Sequence, residues 1–364
     1  MRADLTRVVA ATAAVLVLAA CSSSPDAPSS TTSSTPSTSS SGSPSPTAST
    51  SPTSTTSPSP SATTLNFYAG TVPAVAPRGT VTKRTLRTPD GRTRSYRLFV
   101  PIGPLGTSPL LVALHGAFGT SKQFATNSGF DGLATTNRFL VAYADGVGRL
   151  ADGTGGVQTW NGGDCCGPAA TRAVDDVAFL RAVVADVEAT HTVDPNRVYA
   201  AGHSNGGIMA LRLACEASDV FVAVGLQSSA LGRATCTPKN PLSLMQIHGT
   251  ADTNEPIDGG RGSGPAGVAF RPARDAATTL AAADGCDTPP TTTVDSVNPD
   301  LTLTAWSGCA SSTGVEFLAV TGAGHAWMGH PASSPLAERL VGKPYADLDS
   351  SRAIWSFLAA HPRR

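Results

Sequence analysis

Between residues 65 and 364 the chain alternates short apolar blocks with longer amphipathic ones. Residues 109–115 (PLLVALH) and 139–143 (FLVAY) are nearly unbroken apolar runs, the pattern of strands buried on both faces. Residues 197–201 (RVYAA), 221–225 (FVAVG), 242–248 (LSLMQIH) and 315–320 (VEFLAV) also read as strands. Between them, residues 131–138, 174–190, 207–216 and 351–359 read as helices, with apolar side chains three and four apart. At the front, residues 81–86 and 92–99 flank Thr88-Pro89-Asp90-Gly91, a hairpin-turn sequence. Strand and helix signals in alternation predict an α/β fold with a mostly parallel central sheet and helices on both faces. The strands are evenly spread, and the Gly-rich residues 258–273 read as a surface loop. No repeat and no second linker divides the segment, so one domain over 65–364 is expected.

The pattern changes most abruptly at residues 198–209 (VYAAGHSNGGIM), where a strand meets a helix through Gly202-His203-Ser204-Asn205-Gly206. A strand that turns directly into a helix forces its corner residue into a strained conformation and leaves no room for side chains two positions away. The pattern G-x-S-x-G at such a corner presents a serine hydroxyl as a nucleophile. On its own the pattern is weak. The flanking strand and helix give it weight.

A serine hydroxyl needs a base to take its proton and an acid to orient that base. The strand at 242–248 runs into Gly249-Thr250-Ala251-Asp252, and the strand at 315–320 into residues 321–327 (TGAGHAW). Asp252 and His325 therefore stand at the same sheet edge as Ser204, in the chain order serine, acid, histidine. Glu255 and His330 compete for these roles but lie further from the strand ends, and His191 precedes the serine. His203 and His248 read as packing or hydrogen-bonding neighbours, and Asp175 and Asp176 as helix-start residues. A tetrahedral intermediate needs two backbone donors for its oxygen. Asn205 N–H follows the nucleophile, and residues 114–119 (LHGAFG) offer Ala117, with Phe118 as the alternative. Trp160, Trp327 and Phe118 are expected to wall the substrate cleft, beside Asn161, although each also fits ordinary core packing.

Composition separates the first 64 residues from this domain. Arg2 and Arg7 precede an apolar run at 8–20, too short to span a bilayer comfortably, that ends in Leu18-Ala19-Ala20-Cys21. The end of this run resembles the cleavage box of bacterial lipoprotein signal peptides, which implies a signal peptide over 1–20 and lipidation of Cys21. An ordinary secretory signal with an incidental cysteine ranks second, because Cys21 follows small residues at the place where cleavage is expected. Residues 22–64 are nearly all Ser, Thr, Pro and Ala, with too little apolar surface to offset the entropy of ordering. A tether over 21–64 is expected to hold the domain on the outer side of the cell membrane.

Of the 7 cysteines, those after Cys21 form an even set, as disulfides in an exported chain require. Short separations favour Cys215–Cys236 and Cys286–Cys309, which leaves Cys165–Cys166 as a vicinal bridge, although the count alone fixes no pairing. No metal-ligand spacing occurs and no cofactor is expected. With 26 basic and 26 acidic residues the chain shows no electrostatic footprint of a nucleic-acid partner, and a monomer is expected.

The motifs LHGAFGT, TWNGGDCCG, VDDVAFL, VYAAGHSNGG, HGTAD and GAGHAW occur in that order between Arg92 and Pro362. In this the chain resembles the polyhydroxybutyrate depolymerase and feruloyl esterase family, itself similar to carbohydrate esterase family one. More narrowly, it resembles the lipid-anchored members found in actinobacteria. The resemblance implies an α/β-hydrolase fold and a serine carboxylesterase acting on small or polysaccharide-linked esters. It also implies a triad of Ser204, Asp252 and His325 and oxyanion donors at Asn205 and Ala117. Ala144 and Met328 stand where the family often has proline, which changes loop rigidity near the site. An acyltransferase on the same fold is the alternative, and a surface binding protein with an inactive site a third reading.

Overall fold

The apolar runs form the middle of an eleven-stranded sheet. The computed structural model describes residues 61–63, 65, 75–150, 157–264, 267–332 and 334–364, and all of these fall in one compact unit, Pro58–Arg364. The expected signal segment, the expected lipidation at Cys21 and the expected tether over 21–64 lie outside the described residues, except that 61–63 form a strand paired with residues 293–295. The strands are β1 (Ser61–Thr63), β2 (Gly79–Arg87), β3 (Thr93–Pro101), β4 (Ser108–Leu114), β5 (Leu140–Ala144), β6 (Val193–His203), β7 (Ala223–Gln227) and β8 (Ser243–Gly249). They continue as β9 (Gly260–Arg261), β10 (Ala269–Phe270), β11 (Thr291–Asp295), β12 (Leu301–Trp306) and β13 (Val315–Val320). The order across the sheet is β1-β11-β12-β13-β8-β7-β6-β4-β5-β3-β2, while β9 and β10 pair separately. Pairing is parallel from β5 through β4, β6, β7 and β8 to β13. It is antiparallel at β2–β3–β5 and at β11–β12–β13. The fold is therefore α/β with a mostly parallel sheet.

The helices are α1 (Ser121–Ser128), α2 (Phe130–Asn137), α3 (Gly167–Thr171), α4 (Asp176–Glu188), α5 (Asn205–Glu216), α6 (Arg274–Ala283), α7 (Pro335–Val341) and α8 (Ser350–Ala360). Strand β4 is buried along its whole length, and its side chains divide between two cores. Leu110, Val112 and Leu114 pack with Phe179 and Leu180 of α4 and Met209 of α5. Leu111 and Ala113 pack with Phe124 of α1, Phe130 of α2 and Ile354 of α8. That two-sided burial is why the central strands read as unbroken apolar runs, and each fully buried large aliphatic side chain contributes roughly 1.5–3 kcal/mol.

Several elements differ from their sequence expectation. The helix expected at 131–138 is the second of two, because the chain breaks at Gly129 (φ 65°) between α1 and α2. The loop expected at 258–273 carries the short β9–β10 ladder. Helix α6 and strands β11 and β12 were not signalled: α6 is an alanine-rich segment, and β11 is a threonine-rich, partly exposed strand. Asp175 caps α4 by accepting from Ala178 N–H, as a helix-start residue does. Asp176 is more than that. It is fully buried in an ion pair of 2.7 Å with Arg94 and accepts from Asn161 N–H. The three cysteine pairs are Cys165–Cys166, Cys215–Cys236 and Cys286–Cys309.

Candidate active site

Ser204 occupies the corner between β6 and α5 at φ 53° and ψ −127°. Such a conformation costs about 1–3 kcal/mol and persists only where the surroundings determine it. They do so here. Ser204 N–H donates to Gln227 C=O at 3.0 Å, and Ser204 C=O accepts from Gly207 and Ile208 N–H. A Cβ on Gly202 would stand 2.2 Å from Gly206 O, and one on Gly206 would stand 2.3 Å from Leu114 O. The two glycines are thus a packing requirement of the corner.

Ser204 Oγ lies 2.9 Å from His325 Nε2, and His325 Nδ1 lies 2.8 Å from Asp252 Oδ2. A carboxylate can only accept, so Nδ1–H donates to Asp252 and Nε2 is left to accept from the serine hydroxyl. Asp252 Oδ1 accepts from the backbone N–H groups of Asn254 and Glu255. Burial alone would raise the Asp252 carboxyl, but the hydrogen bond and charge of His325 and the Glu255 N–H outweigh it and hold it below the ordinary range. His203 Nε2 donates to His325 C=O at 2.7 Å. Burial and the neighbouring His325 lower His203 to about 3, so it stays neutral. His248 is also buried and lowered, and its Nε2 donates to Glu255 C=O. His330 instead pairs with Asp349.

The Asn205 side chain is occupied. Its Oδ1 accepts from Trp160 N–H at 2.7 Å and its Nδ2 donates to Trp160 C=O at 3.0 Å. Its backbone N–H opens α5, where the first turn lacks intrahelical acceptors and the helix dipole favours negative charge. Across the cleft, Phe118 N–H donates to Gln158 C=O at 2.9 Å. That occupied amide leaves Ala117 as the better candidate for the second donor.

A cleft of about 410 Å³ opens over Ser204, with Gly116, Ala117, Phe118, Asn205 and His325 on its wall. Phe118 stands 46% exposed at this cleft. The two tryptophans expected as walls do not line it. Trp160 is 0% exposed, and its Nε1–H donates to His115 C=O at 2.9 Å, so it lies beneath the site as a strut. Trp327 packs edge-on against Phe124 and His203 and donates to Ser351 Oγ, which makes it core. Asn161 is bound to Asp176 and Val174. The walls that sequence reasoning missed are Cys166, Ile208 and Phe270 on one side, and Leu336, Leu340 and Val341 of α7 on another. The CC and the apolar residues of α7 were visible as letters but carried no signal of their position. Among the described residues, no group of His, Cys, Asp and Glu side chains is arranged to hold a metal ion.

Comparison with known proteins places this geometry in context. Residues 94–259 match the family described as Esterase PHB depolymerase. NocK of Nocardia uniformis subsp. tsuyamanensis, an esterase by assignment, is 31% identical over 287 residues, covering 74% of this chain and 80% of NocK. Feruloyl esterase B of Piromyces equi is 29% identical over 226 residues, which span 60% of this chain but 40% of that protein. Among solved structures, an acetyl xylan esterase from Aspergillus awamori aligns with a TM-score of 0.52 over 68% of this chain and 94% of its own. At 16% identity that likeness speaks to the fold alone.

Proposed function

We propose, from the premise that this chain belongs to the Esterase PHB depolymerase family, that it is an exported, membrane-anchored serine hydrolase that cleaves carboxylic esters through an acyl-enzyme. The observation that carries the mechanism is the hydrogen-bonded chain from Ser204 through His325 to Asp252 at the ends of β6, β8 and β13. Ser204 Oγ attacks the ester carbonyl while His325 Nε2 takes the hydroxyl proton. Asp252, kept ionised by its hydrogen bonds, holds the imidazole in this tautomer and stabilises the imidazolium. The carbonyl oxygen gathers negative charge and is met by the N–H groups of Asn205 and Ala117. As the tetrahedral intermediate collapses, the C–O bond to the alcohol breaks and His325 returns the proton to the leaving oxygen. Water then attacks the acyl-serine with His325 again as base, and the acid leaves with Ser204 restored. Water is taken as the acceptor because the relatives named above are esterases.

Feruloyl, acetyl and hydroxybutyryl esters are the candidate substrates. Phe118, Ile208 and Phe270 on the cleft wall support an aryl or short acyl group. Export and anchoring rest on the basic, apolar and Leu18-Ala19-Ala20-Cys21 segments and on the Ser/Thr/Pro tether. The test compares the purified wild type with Ser204→Ala on p-nitrophenyl acetate, methyl ferulate and a hydroxybutyrate oligomer. Turnover is expected to vanish on whichever ester works, with the circular dichroism spectrum unchanged. Equal activity in both proteins would remove Ser204 as nucleophile.

A further inference from the structure

Glu255 sits at the wall of the cleft that also holds Ser204 and His325, yet the proton relay does not use its side chain. The residue is 2% exposed. Its backbone is fixed at both ends: the N–H donates to Asp252 Oδ1 at 2.9 Å, and the C=O accepts from His248 Nε2 at 2.8 Å. The Ala230 N–H lies near the carboxyl. One oxygen, Oε1, is buried and has no hydrogen-bond partner among the described residues. Other polar side chains on the same wall are engaged. Thr120 and Ser334 cap α1 and α7, and Asn254 Nδ2 holds Leu340 C=O. The rest of the wall includes Phe124, Ile208, Phe270, Leu336, Leu340 and Val341, all apolar.

A buried polar atom without a partner destabilises the fold, and a leucine there would avoid the penalty. At the wall of a substrate cleft, the ligand can supply the missing partner. We infer that Glu255 is a specificity-determining residue, its carboxyl O–H donating a hydrogen bond to an uncharged ether, hydroxyl or carbonyl oxygen carried by the substrate beside the scissile ester. The inference rests on the ester-hydrolase reading of this cleft. Burial, and then the Asp252 carboxylate beside it, push the Glu255 carboxyl well above its ordinary range, which favours the protonated, donating form. Ionisation next to Asp252 would place two like charges in one apolar pocket. A protonated carboxyl selects an acceptor, while the Asp252 charge and the apolar wall disfavour an anion, so the favoured substrates are oxygen-bearing but uncharged.

The test uses pairs of esters that differ only by oxygen in place of a methylene. On the acyl side these are p-nitrophenyl 3-methoxypropionate and p-nitrophenyl pentanoate; on the alcohol side, 2-methoxyethyl acetate and butyl acetate. The ratio of kcat/KM within each pair is compared across the wild type, Glu255→Leu and Glu255→Gln, which cancels intrinsic ester reactivity. In one arm the ratio is expected to fall about tenfold in Glu255→Leu, and Glu255→Gln, which keeps an N–H donor, is expected to retain most of it. The arm that responds identifies the side of the ester that Glu255 reads. Ratios that move less than twofold in both arms overturn the inference, as does an equal loss in the Leu and Gln variants. Should Glu255→Leu fail to fold, the wild type decides alone. Divided by alkaline hydrolysis rates, its kcat/KM must be higher for the methoxy ester than for the methylthio and hydrocarbon analogues. If Ser204→Ala is inactive while the ratios stay fixed, the inference falls and the hydrolase stands; an active Ser204→Ala removes both.

Discussion

Trp160→Phe separates a strut from a wall. The indole of Trp160 is fully buried, its Nε1–H holds His115 C=O, and its backbone is clamped at both N–H and C=O by the Asn205 side chain. Two residues earlier, Gln158 C=O accepts from Phe118 N–H. The segment 158–160 therefore spans the two loops that carry the proposed oxyanion donors, and on that proposal Trp160 positions both. Phenylalanine keeps most of the volume but cannot donate. Leaving the buried His115 carbonyl unpaired costs about 1–3 kcal/mol, and the small cavity adds about another 1 kcal/mol. At roughly 2 °C per kcal/mol for a domain of this size, Tm should fall by about 4–8 °C. Outright loss of an oxyanion donor costs about 10²–10³ in kcat, so a loosened corner should cost about tenfold. The assay is steady-state hydrolysis of p-nitrophenyl acetate, butyrate and octanoate beside thermal unfolding. A strut predicts the same loss of kcat on all three esters with KM little changed. A rise in KM that grows with acyl length, at unchanged Tm, would refute this reading and return Trp160 to the cleft wall.

Two further outcomes test other parts of the account. Glu255 keeps its proton in the fold at pH values where the unfolded chain releases it, so the unfolded state binds fewer protons. Stability is then present at acid pH and lost as pH rises above the unfolded carboxyl range. Glu255→Gln removes this dependence, whereas Asp252, His248 and His325, which surround the site, remain in both proteins. The Tm of Glu255→Gln relative to wild type should therefore rise from pH 5 to pH 9, and parallel curves would count against a protonated Glu255. Separately, cells fed a labelled fatty acid should label the wild type and recover it with membranes, while Cys21→Ser should be unlabelled. Equal labelling would exclude Cys21 as the anchor.

The chain by itself carried the strand–helix alternation, the two-sided burial of the central strands and the corner at Ser204. Each is written within a few consecutive residues, where backbone sterics and hydrophobic period act locally. The same local signals placed Asp252 and His325 just beyond the ends of β8 and β13, because a parallel sheet brings those strand ends to one edge. Strands β11 and β12 and helix α6 went unread for different reasons: β11 is mostly threonine, α6 buries three alanines and one leucine, and β12 alternates apolar and polar residues but is only six residues long. Only the tertiary structure decided which aromatic side chains face the cleft. Trp160 and Phe118 are equally apolar as letters, yet one lies under the site and the other at its wall. Glu255 shows the same limit from the other side: a charged letter that sequence leaves on the surface is buried at the wall of the cleft. A sequence states what each segment prefers locally. Which preferences are satisfied, and which side chains line the cleft, is set by contacts between segments far apart in the chain.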